Sequence, residues 1–448
     1  MLRTLLRAAL PPFMVTLLGV AAPSPSTLAA QTAVSARPTM PLDRDALHAP
    51  GRDVKIYLLT MGDGPRVWEM FGHSSIWIRD TVAFRDTVVN WGVFDSTQPN
   101  FIPHFLKGLM LYSIGGNRME DVLYSYRYWN RSVTSQELNL TATQKDSLLH
   151  IIQRNFLPDN FHYRYDYFVD NCSTRPRDIL DMVLGGQLRI GADSLSGTSY
   201  RDHALRLMQS NIPLVLGVDI GLGEPSDRPI TKWQTMFLPK QLHDWVATRQ
   251  IRDSTGTLRP LALSDRVLVP STQPPERETP PKFTWLWLAG GLLAALFAAL
   301  GIAGRDSHAA RAGAAVLFST WATICGLLGV LVAALWAFTD HRFAHANENV
   351  LLFNPLWLIL AVTVPLTLLR GRAKLWTIRV LGVCVGLASL ALLMHLVGLS
   401  RQTNLPIVGL VLLPAAVMFA IIRRGELAGR VASANRAGPV NITSPSPT

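Results

Sequence analysis

Of the three cysteines in this 448-residue chain, one lies outside the long apolar stretches. Cys172 stands in the run Tyr167-Phe168-Val169-Asp170-Asn171-Cys172-Ser173-Thr174-Arg175, while Cys325 and Cys384 sit within apolar runs. A lone thiol in an exported segment has no partner for an intramolecular disulfide. It is either a buried inert residue or a nucleophile. Its setting favours the nucleophile, because Cys172 follows a strand-like segment and immediately precedes a helix-like one. Ser173 or Thr174 can cap that helix, Pro176 suits its first turn, and Gly185-Gly186 ends it. Unpaired N–H groups at a helix start favour the thiolate and can stabilise an oxyanion on a carbonyl under attack.

A thiol nucleophile needs a base, most often histidine. His73, in Phe71-Gly72-His73-Ser74-Ser75-Ile76-Trp77, begins a strand pattern after a glycine, where a side chain can project from a sheet end. Asn90, in Val88-Val89-Asn90-Trp91-Gly92, lies on the next strand pattern and can orient the imidazole.

Several elements must position these residues. Asp53–Met61, His73–Arg79 and Thr87–Phe94 read as strands. Thr141-Ala142-Thr143-Gln144 is a capping box opening a helix to about Phe156, with Leu148, Leu149, Ile152 and Phe156 as its core stripe. Phe161–Val169 alternates aromatics and reads as a further strand, with Tyr163, Tyr165 and Tyr167 on one packed or half-exposed face. The helix after Cys172 spans about 175–184.

The ends read differently. Residues 1–30 carry Arg3 and Arg7, an apolar stretch and Leu28-Ala29-Ala30, the pattern of an export signal or an N-terminal anchor. Residues 31–50 read as a flexible lead-in, 51–250 as the exported catalytic domain, and 251–282 as a linker whose end is Pro-rich. Five apolar spans follow, at about 283–303, 313–338, 351–369, 376–398 and 404–422. Each is long enough to cross a bilayer and apolar all round, unlike the striped helices of a soluble domain. The basic residues agree on an orientation: Arg305 and Arg311, then Arg370, Arg372 and Lys374, then Arg423, Arg424 and Arg430 fall on one side. The other side holds Arg342 and Arg401. The positive-inside rule therefore places the catalytic domain outside and the tail, 425–448, in the cytoplasm.

The net charge of +11 includes this topological charge and has no lysine-rich run in the exported part, so it does not point to nucleic acid. It suits an anionic membrane surface. No Gly-rich phosphate loop follows a strand and no zinc-type Cys/His cluster is present, so no cofactor or metal is expected.

The order of a histidine strand, a polar residue one strand later and a cysteine at a helix start resembles the permuted NlpC-type thiol enzymes, which include lecithin retinol acyltransferase. More specifically, Phe71-Gly72-His73-Ser74, Asn90-Trp91-Gly92, Leu138-Asn139-Leu140-Thr141, Tyr165 to Arg175 and Phe237-Leu238-Pro239 resemble the Lnb family of bacterial lipoprotein N-terminal transacylases. Asp340-His341, Asn347-Glu348-Asn349 and Asn354-Pro355 extend the resemblance into the membrane part. It implies an α+β fold: a circularly permuted papain-like domain followed by a five-helix transmembrane region. It also implies a membrane enzyme whose partners are lipids and lipoproteins. Such an enzyme moves an acyl chain from the glycerol of a diacylated lipoprotein onto its N-terminal amine. In that chemistry Cys172 forms a thioester, His73 takes the thiol proton and Asn90 orients His73.

Four further residues are candidate substrate contacts. Arg175 flanks the nucleophile and can support the helix through a salt bridge or meet an anionic group. His341, Asn347 and Asn349 lie in an outer loop, Asp340 to Asn349, that is unusually polar for a short hairpin. It can contact a head group, dock the exported domain or simply be a solvated turn. Two other functions stay open: a Cys/His hydrolase, an amidase or peptidase on envelope substrates, and a non-enzymatic envelope module with a relict thiol.

Overall fold

The computed structural model describes residues 50–82, 85–94, 100–370 and 374–436. The expected export signal and lead-in, Arg372, and the tail after 436 lie outside them. By Cα proximity the chain forms two units, one of residues up to Ser196 with Thr231–Glu276, the other Gly197–Ile230 with Arg277 onward.

The first unit is built on a sheet whose strands are β1 (Val54–Met61), β2 (His73–Asp80), β3 (Asp86–Val93), β4 (Leu111–Arg118), β5 (Val133–Leu138) and β6 (His162–Arg164). Four short strands follow: β7 (Leu195–Ser199), β8 (Pro229–Thr231), β9 (Gln250–Arg252) and β10 (Leu258–Pro260). The last, β11 (Ala262–Val269), returns to the sheet, whose order is β11-β5-β1-β2-β3-β4-β6. Every neighbouring pair is antiparallel.

Alternation along the strands makes two apolar faces. One carries Ile56, Leu58, Ile76, Ile78, Val89 and Trp91, and it packs on Leu148, Leu149 and Ile152 of the helix Ala142–Asn155 and on Ile179 and Leu180 of the helix Thr174–Val183. The other carries Tyr57, Leu59, Met61, Trp77 and Val88, covered by Met119 and Val122 of the helix Met119–Tyr128. The expected capping box at Thr141 and Gln144 is formed.

Three expectations shift. Domain 51–250 with a linker from 251 misses β11, an edge strand that extends the sheet to Val269. Its sequence hides this, because only one side of an edge strand is covered and Asp265 and Arg266 interrupt the apolar alternation. The strand expected over Phe161–Val169 stops at Arg164. The Asp166 carboxylate there accepts from the Phe168 and Val169 amides, capturing backbone that would otherwise pair in the sheet. Third, the stretch Gly197–Ile230, read as part of the exported domain, groups with the second unit.

Among its described residues that unit has five helices long and apolar enough to cross a membrane: Trp285–Ala303, His308–Phe338, Glu348–Arg370, Leu375–Leu396 and Leu405–Ala428. Within it, the helices Tyr200–Met208 and Ile212–Gly221 are tied together by Arg201. Its buried guanidinium bonds Asp219 at 2.6 Å and Asp227 at 2.9 Å. A buried cation is tolerable only with such full pairing.

Candidate active site

The turn before β2 is set by Gly72, whose φ of +72° few other residues adopt. A Cβ there would sit 2.7 Å from the Met61 carbonyl oxygen. Chain direction therefore reverses tightly, and His73 emerges as the first residue of β2, opposite Met61. His73 and Ser75 share a face by strand alternation, and Ser75 is paired with Asn90 of β3. The His73 Nε2 lies 3.0 Å from Asn90 Oδ1, and the Ser75 hydroxyl donates to the same oxygen at 2.5 Å. The Asn90 amide is fixed in turn, donating to Asn117 Oδ1 at 2.8 Å.

Cys172 arrives from the other side. Ser74 points to the opposite face from His73, and its hydroxyl is 3.5 Å from that of Ser173. Cys172 is buried and free of any disulfide. The thiol and the His73 ring interact electrostatically, and since Nε2 is taken by Asn90, Nδ1 is the ring nitrogen left for another partner. Burial alone would raise the thiol pKa. The charge and hydrogen bond of His73, with the Ser74 backbone N–H and that of Cys172 itself, outweigh it and lower the pKa below its ordinary value. For His73, burial disfavours the imidazolium, but the Cys172 sulfur and the bonds to Cys172 and Asn90 prevail and its pKa is raised. The two shifts favour a thiolate–imidazolium pair.

The helix after Cys172 is capped neither by Ser173 nor by Thr174, as the sequence suggested, but by Asn171. Its Oδ1 accepts from the Ser173 amide at 2.8 Å and the Thr174 amide at 2.9 Å. Its Nδ2 holds the carbonyls of Tyr167 and Phe237. Ser173 donates instead to the Met236 carbonyl at 2.8 Å. The segment before Pro239 thus clamps the Asn-Cys-Ser turn. The first helix amides are spent on Asn171, so they are not the donors an oxyanion would meet.

A different donor stands nearby. The Tyr163 hydroxyl is buried and makes no hydrogen bond. Gly92 links it to the thiol: a Cβ on Gly92 would lie 3.7 Å from the Cys172 Cβ, 3.9 Å from the Tyr163 oxygen and 3.3 Å from the Tyr165 ring. Burial, with the Cys172 charge next, pushes the Tyr163 pKa well above its ordinary value, so the hydroxyl keeps its proton. Arg175 lies 3.9 Å over the Tyr163 ring and bonds both oxygens of Asp170, at 2.5 and 2.7 Å. Sequence reasoning missed Tyr163, Ser75 and Asn117 as site residues. Tyr163 was visible only as one of three alternating aromatics.

His73, Asn90, Cys172 and Arg175 are thus brought together. The other candidates lie in the second unit. Asn347 and Asn349 are buried there, and their amides donate to the Ile220 and Gly221 carbonyls at 2.8 to 3.1 Å. Gln402 and Asn404 continue this polar network, Asn404 reaching Asn349 at 2.8 Å and His395 at 2.7 Å. Asn347 and Asn349 therefore hold the stretch Gly197–Ile230 on the loop Asp340 to Asn349, within the second unit. His341 precedes a short 3-10 turn, Arg342–Ala344.

No curated protein and no solved structure matches the chain. Two family models do. Residues 48–204 match the Lnb N-terminal periplasmic domain, and residues 279–424 match the Lnb transmembrane domain. The first match contains His73, Asn90 and Cys172, the second the five apolar helices, and between them they cover more than half of the sequence. The chain belongs to the Lnb family.

Proposed function

We propose that this protein is a membrane-bound thiol acyltransferase. It moves an acyl chain from the glycerol of a diacylated lipoprotein, or a related lipid, to an amine through a thioester on Cys172. The observation that carries this reading is the convergence of Cys172, His73 and Asn90 at one sheet end, with the thiol lowered and the imidazole raised in pKa. The chain order of histidine strand, asparagine strand and cysteine helix supports a circularly permuted papain-like arrangement for the domain.

In the first step the thiolate attacks the ester carbonyl, its proton being held on His73. The C–S bond forms, the C–O bond to glycerol breaks, and His73 returns the proton to the departing glycerol oxygen. In the second step the amine attacks the thioester, His73 takes its proton, the C–N bond forms and the thiolate leaves. Both steps pass an oxyanion. Tyr163 donates to it, because the helix amides of Ser173 and Thr174 are committed to Asn171. Arg175 positions the Tyr163 ring. His341 is a candidate head-group contact. The domain faces the extracytoplasmic side of the cytoplasmic membrane, with the C-terminus in the cytoplasm, as the basic loop residues favour.

The test is intact mass spectrometry of a lipoprotein co-expressed with the protein, or with Cys172→Ala or His73→Ala, in cells lacking their own N-acylating enzyme. An N-acyl, lyso-glyceryl lipopeptide that appears only with the intact pair supports the reading. An unchanged lipopeptide removes the lipoprotein substrate, and released fatty acid or a cleaved envelope peptide would indicate a hydrolase.

A further inference from the structure

The strand register sorts the loops of the first unit onto two ends of the sheet. Met61 pairs with His73 and with Val133, Val133 with Val269, Val93 with Ser113, and Leu111 with Arg164. All of these lie at the end that carries Cys172. The opposite end is charged. There Arg79 faces Asp86, Arg85 faces Asp80 and Arg118 binds Glu120, and among the described residues Val82 in the β2–β3 turn and Leu263 at the start of β11 are exposed and apolar.

The catalytic end is different. Leu106 is 62% exposed and Trp68 44%, and Phe105, Leu109, Leu111 and Tyr167 are exposed beside the same mouth. They come from three loops: the one leading into His73, the helix Phe101–Lys107 with the turn after it, and the turn leading into Cys172. The Tyr167 hydroxyl meets the Met110 sulfur at 3.3 Å and the Tyr165 amide bonds the Met110 carbonyl, so the last two loops form one rim. Exposed apolar side chains gathered on one end of a domain mark an interaction surface. Aromatic residues with one wet edge suit a membrane interface.

We propose that this rim contacts the lipid bilayer, seating the mouth of the Cys172 site at the head-group boundary of an anionic leaflet. This deepens the acyl-transfer reading and rests on it for the identity of the site: an acyl chain would reach Cys172 without crossing water. Two observations select the bilayer. The chain leaves the sheet at Val269, at this same end, and residues 270–284 alone separate it from the first apolar helix, about 50 Å at full stretch. The rim is also edged by His104, Lys107 and Arg164, while of the acids in these loops Asp170 and Glu69 are held by Arg175 and Arg131, Asp166 accepts from two backbone amides and Asp63 is half-buried. Cations beside an apolar rim complement anionic lipids.

The test uses the full chain with Cys172→Ala, its two other cysteines being buried, in nanodiscs of mixed zwitterionic and anionic lipid. Trp68→Cys, Leu106→Cys and, at the charged end, Arg85→Cys each receive a nitroxide. Leu109→Cys serves if one rim variant misfolds. Rim labels should be at least several-fold less accessible to a water-soluble nickel chelate than the label at 85, and more accessible to oxygen. Equal nickel access at both ends would overturn the proposal. Dipolar broadening between rim labels, the sign of a second copy seated there, would also overturn it. The readout needs no turnover, so its outcome is separate from that of the lipopeptide assay.

Discussion

Asn90 Oδ1 stands 3.0 Å from His73 Nε2, so Nε2 carries the proton donated to it and Nδ1 is left unprotonated for another partner. One amide oxygen thereby selects the tautomer and the direction of the base, and Ser75 and Asn117 keep that amide from rotating. Replacing Asn90 with Ala should leave the fold intact and lower the rate of acyl transfer by about 10- to 100-fold, the usual scale for a misdirected catalytic group. Steady-state kinetics with a soluble p-nitrophenyl ester would check this. An unchanged kcat would remove Asn90 from the machinery.

The paired shifts of Cys172 and His73 have a sign that alkylation can read. The thiol pKa is lowered from 9.0, so thiolate should be present, and iodoacetamide should react, at pH values below that of a free cysteine. In His73→Ala the charge and hydrogen bond are gone and only burial and backbone N–H groups remain. The midpoint should then move upward. The measurement is the alkylation rate of Cys172 against pH for both proteins.

Tyr163→Phe separates catalysis from stability. Its hydroxyl is buried without a partner, so removing it should change thermal stability little, while oxyanion stabilisation falls and acyl transfer slows about 100-fold. Iodoacetamide alkylation passes no oxyanion and should keep its rate. A parallel fall in both would make Tyr163 a packing residue.

Gly92 has φ +87°, and its Cα faces Cys172 and two tyrosines. Ala at this position should cost about 1–2 kcal/mol from the left-handed backbone alone. It should also displace the Tyr165 ring. A lowered Tm together with slower thiol alkylation is expected.

In the second unit, Asn349→Ala should leave the buried Asn404 amide without the acceptor it now has and take one of two donors from the Ile220 carbonyl, at a cost of about 1–3 kcal/mol. Thermal unfolding in detergent should report this, while the KM for a lipopeptide stays that of the wild type. A raised KM with unchanged stability would return Asn349 to the substrate.

The apolar helices were legible from residue order, because a bilayer demands both length and all-round apolarity. The sequence marked the three strands around His73 and Asn90 and the helix opened by Thr141, since alternation and capping are local signals. It also singled out Cys172 and His73 by residue type. The remaining features depend on contacts between distant segments. Asn171, not Ser173 or Thr174, caps the catalytic helix because its amide also finds Tyr167 and the distant Phe237 carbonyl. Tyr163 and Cys172 come near one another only through the fold, with Gly92 between them. The edge strand Ala262–Val269 and the docking of Asn347 on Ile220 and Gly221 rest on partners more than a hundred residues away. Such long-range pairings leave no period in the sequence, because their energetics reside in the partner and not in the segment.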